Sequence, residues 1–176
     1  MKTCVAVAML VLALSGCAAT VEQSGPQTPA SAIPAASSQN IVLNITGSSV
    51  STGAKDWADF KEAWRSEMAE VVAAHGAKFS YQDGPPRPTG EAGTLVVVDV
   101  ADYRYLTPGA RIGLGIMTGN AYVDAEVSLR DLKTGKEFGS RHYNTSSSAW
   151  EGVFSAMTPK QVAAISESIV AEIGPR

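Results

Sequence analysis

The 176 residues suffice for about one domain, and 14 Lys and Arg against 17 Asp and Glu leave a formal net charge of −3 with no basic block, which argues against a nucleic-acid partner. Apolar residues are 45% of the chain and charged residues 18%, a composition that can bury a core. Both cysteines, Cys4 and Cys17, lie at the N-terminus, and two histidines, His75 and His142, stand far apart in sequence.

Met1-Lys2 supplies a positive start and Val5 to Leu14 a short apolar run. Such a run is too short for a membrane span, which needs about 20 apolar residues, and reads as the core of a signal peptide over 1–16. Leu14-Ser15-Gly16-Cys17 then has the form of a lipobox. It predicts cleavage before Cys17, with acyl chains of the palmitate type and diacylglycerol on that residue, and hence a lipoprotein of the bacterial cell envelope. Cys4 would leave with the signal and the Cys17 thiol would be consumed, so cysteine catalysis, Cys-bound metal and disulfides are not expected. Ala18 follows where an Asp tends to retain such proteins in the inner membrane, so the outer membrane is expected, with the domain facing the periplasm.

Residues 17–40 read as the lipidated Cys and a disordered tether, rich in Ser, Ala, Thr, Gln and Pro and too poor in apolar surface to order. As a flexible coil, the tether would span roughly 25 Å. A single domain is expected over 41–176. Ile41 to Ile45 reads as a strand. Asp56 is placed to N-cap a helix from Trp57 to about His75, with Asp59 at the capping-box position, Gly76 as C-cap, and Trp57, Phe60, Trp64, Met68, Val71 and His75 on one stripe. Lys78 to Gln82 is a strand with Phe79 and Tyr81 on one face, followed by an extended loop through Pro85, Pro86 and Pro88.

Thr94 to Tyr105 is the strongest strand, and Leu95 to Val98, apolar on both faces, belongs in the middle of a sheet. Ala121 to Asp131 alternates, with Ala121, Val123, Ala125, Val127 and Leu129 inward. Lys133 to Lys136 turns the chain and Glu137 to Thr145 returns beside it. A last helix begins at Thr158-Pro159, buries Val162, Ile165, Ile169 and Ile173, and stops at Gly174-Pro175. The order predicts an α+β fold: a largely antiparallel sheet of about five strands with two helices packed on one face.

No constellation points sharply to chemistry. Gly113, Gly115 and Gly119 do not make a dinucleotide loop, because a strand follows where a helix N-terminus would have to hold the phosphates. His75 and His142 are too few for a zinc site, so neither a metal nor a cofactor is expected. Asp99 and Asp102 could do acid–base work, but a solvent-facing role or pairing with Arg104 or Arg111 fits a strand end better. Ser146 to Ser148 lack a nucleophile elbow. Trp57, Trp64 and Trp150 read as core anchors.

The chain resembles a family of small, uncharacterised bacterial lipoproteins that carry a domain of unknown function. The resemblance rests on His75-Gly76-Ala77-Lys78-Phe79, Leu95-Val96-Val97-Val98-Asp99, the Gly-rich stretch Arg111 to Gly119, Val127 to Lys136 with its Thr-Gly-Lys turn, and a closing helix. It covers about 41–173 and implies an α+β envelope domain, distantly similar to N-terminal domains of curli-secretion and periplasmic Tol-type proteins, with no catalytic residues to transfer. The leading expectation is a non-enzymatic outer-membrane lipoprotein held by its lipid anchor, acting as a binding or structural component with an envelope protein as partner. Tyr103, Tyr105, Ile112, Leu114, Ile116 and Met117 are the candidate partner-binding residues. The alternative is a small-molecule or glycan-binding module, or an enzyme, with a pocket near Asp99, Asp102 and Arg111.

Overall fold

Six strands pair into one mixed sheet, and two long helices cover one of its faces. The computed structural model describes residues 21–28, 33–106, 121–146 and 158–174. In chain order the elements are β1 (Val21–Thr28), α1 (Ala35–Ser38), β2 (Asn40–Gly47), α2 (Ser49–Thr52), α3 (Trp57–Ala74), β3 (Lys78–Gln82), β4 (Thr94–Arg104), β5 (Tyr122–Asp131), β6 (Glu137–Ser146) and α4 (Thr158–Ile173). The strand order is β1-β6-β5-β4-β2-β3. The α+β class and the two helices on one face are as expected.

Two features of the sheet differ from expectation. The first is β1. Residues 17–40 read as a tether, yet Val21–Thr28 pairs antiparallel with β6, Val21 opposite Thr145 and Ser24 opposite His142. Composition measures how much apolar surface a segment can bury. It does not register the open edge of β6, whose unpaired backbone groups give an arriving segment partners whatever its side chains.

The second is strand direction. β4, β5, β6 and β1 form antiparallel pairs, but β2 runs parallel to both of its neighbours, β3 and β4. Parallel strands need crossovers. α3 supplies one between β2 and β3. Residues 83–93 supply the other, bringing the chain past β2 to its far side. This segment is fastened where Thr89 N–H donates to Leu132 O and Leu132 N–H to Gly93 O, both at 2.9 Å. A small second core, Val42, Leu95, Val97 and Leu132, lies on this outer face. Gly93 is required by close approach, since a Cβ there would stand 2.7 Å from both Asn40 O and Leu132 Cδ2.

The main core lies under the helices. α3 buries Phe60, Trp64, Met68, Val71 and Val72, and α4 buries Val162, Ile165, Ile169, Val170 and Ile173 among others. They rest on Ile41, Leu43 and Ile45 of β2, Val96, Val98 and Val100 of β4, and the inward row of β5. At about 1.5–3 kcal/mol for each large apolar side chain, this face dominates the stability of the domain. The β5 alternation is as read from the sequence, except that Ser128 on the outward row is also buried.

The termini of α3 show which local signals hold. At its C-terminus Gly76 has φ +72°, Gly76 N–H donates to Ala73 O and Ala77 N–H to Val72 O, the paired bonds of a Schellman motif. At its N-terminus Asp56 occupies the cap position but makes no side-chain cap bond. Its carboxylate accepts instead from Tyr103, 47 residues away. His75 is exposed, with Nδ1 2.9 Å from Val71 O, so it caps rather than packs.

Trp64 is fully buried, and its indole N–H has no hydrogen-bond partner among the described residues, so packing alone holds it. Trp64→Ala is expected to destabilise the domain by about 3–5 kcal/mol in urea denaturation, as large-to-small aromatic changes in cores do. A loss below about 1 kcal/mol would place the ring outside the core.

Candidate functional site

Of the sequence-predicted residues, Asp99, Asp102, Tyr103 and Tyr105 are described, and they lie at the C-terminal end of β4, where the strand breaks its own alternation. Val100 pairs with Ala125 but Asp102 with Asp124, leaving Ala101 as the extra residue of a β-bulge. The bulge inverts the facing of the residues beyond it: Asp102 and Arg104 turn outward and Tyr103 turns in. Ser48 Oγ donates to Ala101 O at 2.9 Å and Ser51 Oγ to Val100 O at 3.1 Å, so α2 holds the bulged carbonyls.

Tyr103 therefore is not the surface residue that partner binding requires. It is 8% exposed. Its ring stacks on Phe60 with 4.1 Å between centroids and 17° between planes, and lies 5.8 Å from Trp57. Its hydroxyl donates to Asp56 Oδ1 at 2.7 Å. Burial, and then this bond to a carboxylate, push the phenol well above its ordinary pKa. Tyr105 is half-buried, edge-on to Phe60. Burial first, then Asp59, raise its pKa as well.

Tyr105 forms one wall of a groove of about 380 Å³ between α3 and the start of α4, with Asp59, Glu62, Ser66, Glu67 and Pro159. Burial, with the neighbouring Glu70 second, holds the Glu67 carboxyl above its usual range. Sequence reasoning did not find this groove. Its acids lie on the polar side of α3, which reads as an ordinary solvated face until Pro159 of α4 is brought beside it.

Asp99 and Asp102 are both exposed on the outer face, but the bulge separates their surroundings. Asp99 accepts from Thr46 Oγ1 at 3.0 Å and lines an open depression of about 270 Å³ with Glu126, Ser128, Arg130 and Glu137. Asp102 is not part of it. Its Oδ1 accepts from Tyr103 N–H and its Oδ2 from Tyr122 O–H, both at 2.8 Å. The bond to Asp102, ahead of burial, raises the Tyr122 pKa. The expected pocket of Asp99, Asp102 and Arg111 thus loses Asp102, and Arg111 lies outside the described residues. His142 Nε2 stands 3.1 Å from Asp124 Oδ1 on the same outer face. Among the described residues no group of three or more His, Cys, Asp or Glu could hold a metal ion, and no helix is long and apolar enough to cross a membrane.

Cys17, Ile112, Leu114, Ile116, Met117 and Trp150 lie outside the described residues.

A scan against protein-family models finds no match, and a search of curated proteins by sequence finds none. Solved structures do match. A PelC dodecamer from Paraburkholderia phytofirmans superposes with a TM-score of 0.54 at 20% identity, over 89% of this chain and 98% of that one. A leucine-to-methionine variant of that PelC, also a dodecamer, gives 0.56 at 18% identity over 89% and 99%. Protein XCC0632 from Xanthomonas campestris, of the domain-of-unknown-function family DUF330, gives 0.42 at 13% identity over 87% and 91%. The chain is similar to the PelC structures in fold.

The Tyr103–Asp56 bond makes a pH prediction. The unfolded phenol titrates near 10 and the folded one higher, so its contribution is complete below pH about 10 and is lost as pH rises beyond it. Tyr103→Phe should cost about 1.5–3 kcal/mol at pH 7, the range for hydrogen bonds to charged groups. Between pH 10 and 11 the variant's stability should fall less steeply than the parent's, by up to ~1.4 kcal/mol per pH unit. Urea denaturation of both proteins at pH 7, 10 and 11 measures this, and parallel slopes would show that Tyr103 does not titrate differently on folding.

Proposed function

We propose that this protein is a non-enzymatic lipoprotein of the bacterial outer membrane, its domain on the periplasmic side, acting as a structural or binding component of the envelope. The observation that supports this best is the nearness of β1 to the lipobox. Val21, the first residue of β1, stands four positions after Cys17. Acyl chains on Cys17 would each contribute ~0.8 kcal/mol per buried methylene, and several chains together hold a protein durably where one holds it marginally. A strand joined so closely to its anchor makes the domain part of the membrane surface, which suits a scaffold better than an enzyme that must range after substrate.

The polar groups support the same reading. Asp99 and Asp102, the carboxylates weighed from the sequence for acid–base work, are engaged in ties between elements, Asp99 with Thr46 and Asp102 with Tyr122, as Asp56 is with Tyr103. Arg141 of β6 meets Glu172 of α4 at 2.6 Å. The PelC structures that share this fold are dodecamers, so a second copy of the chain stands beside a different envelope protein as a partner. Tyr105 and the apolar residues Ile112, Leu114, Ile116 and Met117 are the contact residues proposed; Tyr103 is withdrawn from that set because it is core.

Cys17→Ala should move the protein from the membrane fraction to the soluble fraction or leave an uncleaved precursor, and mass spectrometry of the parent should find the acylated Cys17 as the first residue. An unmodified mature N-terminus elsewhere would refute the anchor. For the contact residues, replacing Leu114 and Ile116 by Ser should abolish crosslinking to partners in intact cells while leaving the melting temperature nearly unchanged. A fall of about 10 °C or more would assign both residues to the core.

A further inference from the structure

The anchor and the sheet register together define which end of the domain meets lipid. Val21 pairs with Thr145, Thr145 with Val123, and Val123 with Tyr103. The first residue of β1 therefore lies level with the C-terminal end of β4. Four residue steps from Cys17 to Val21 reach at most ~14 Å, even fully extended. The opposite end of the sheet, the turn after β5, lies about 27 Å further along at ~3.4 Å per residue.

The described surface at the near end has a second, independent property. Val50 is 73% exposed and is the large apolar side chain that stands open to solvent among the described residues. It sits on α2, directly after β2 ends at Gly47 opposite Val100, and α2 is held to the β4 bulge by Ser48 and Ser51. Lys55, in the α2–α3 connection, and Arg104, at the tip of β4, are exposed at the same end. Exposed carboxylates, Asp59 and Asp102, stand at this end too. An apolar side chain at the same end as long cationic ones suits the boundary between acyl chains and phosphate headgroups, where such residues bury their stems and keep their charges in the headgroup layer.

We propose that the anchored domain stands end-on to the bilayer, with the Val50, Lys55 and Arg104 end against the lipid headgroups and the Asp131–Lys136 turn pointing away. The orientation rests on the lipid anchor of the proposed function. It adds a contact surface of the folded domain itself with lipid as its occupant.

The test uses the full-length lipidated protein in vesicles of phosphatidylethanolamine and phosphatidylglycerol. With Cys17 acylated and Cys4 removed with the signal, Val50→Cys or Lys133→Cys each introduces a single labelling site. A nitroxide at position 50 should be several-fold less accessible to a water-soluble nickel chelate, relative to oxygen, than one at position 133. Equal accessibility at the two positions, or the reverse order, overturns the orientation. A mass spectrum of the same samples separates the two readings: an unacylated Cys17 overturns both, whereas acylated protein with equal or reversed labels overturns the orientation and leaves the anchor standing.

Discussion

Tyr103 stacked on Phe60, with its hydroxyl on Asp56, is the contact through which the rest of the domain is joined. It links the end of the central strand β4 to the first turn of α3, and α3 carries the aromatic face that covers the sheet. The geometry depends on one extra residue, Ala101, because without the bulge Tyr103 would point to solvent and Asp102 into the core. The bulge in turn depends on α2, whose Ser48 and Ser51 hydroxyls bind the carbonyls of Val100 and Ala101. α4 is tied to the same strand end: Thr158 Oγ1 accepts from Leu106 N–H at 2.9 Å and donates to Arg104 O at 3.2 Å. One strand terminus thus positions all three of these helices.

The same bulge organises the outer face. On either side of it stand the cross-strand pairs Asp99 with Glu126 and Asp102 with Asp124. Like charges directly opposite one another are unfavourable in a sheet. Here Thr46 bonds Asp99 and Tyr122 bonds Asp102, while His142 Nε2 lies 3.1 Å from Asp124 Oδ1. These contacts cross between β2, β4, β5 and β6 on the solvent face, while the helices hold the other. Asp131 does similar work at the far end, where its carboxylate accepts from Lys133 N–H and Thr134 O–H and Gly135 turns at φ +78°.

β1 changes the physical picture of the N-terminal region. A coil there would have left residues 21–28 free of the domain, whereas a strand on the edge of β6 couples this segment to the sheet through backbone hydrogen bonds. β1 also covers the edge of β6, one of the two places where the sheet could add another strand. β3, only five residues long with Lys78 exposed, forms the other edge, and short charged edges resist unwanted pairing.

Much of this domain was legible in the chain itself. The spacing of Phe60, Trp64, Met68 and Val71, the alternation from Ala121 to Leu129, the Gly76 cap and the Val162 to Ile173 stripe each follow from a local period of 3.6 or 2 and a core that must be filled on one side. The pattern Leu14 to Cys17, on which the proposed anchor rests, is likewise a property of adjacent residues. Tertiary structure decided the rest. Asp56 looks like a cap until a tyrosine 47 residues away claims its carboxylate. Tyr103 looks exposed until a bulge, stabilised by a separate helix, turns it over. Val21 to Thr28 looks like a tether until β6 presents an unpaired edge. β2 takes parallel neighbours because α3 and residues 83–93 return the chain to the same end of the sheet. In each case the deciding partner is distant in sequence, and periodicity, which records only whether a face is buried, holds no information about which distant group will bury or bind it.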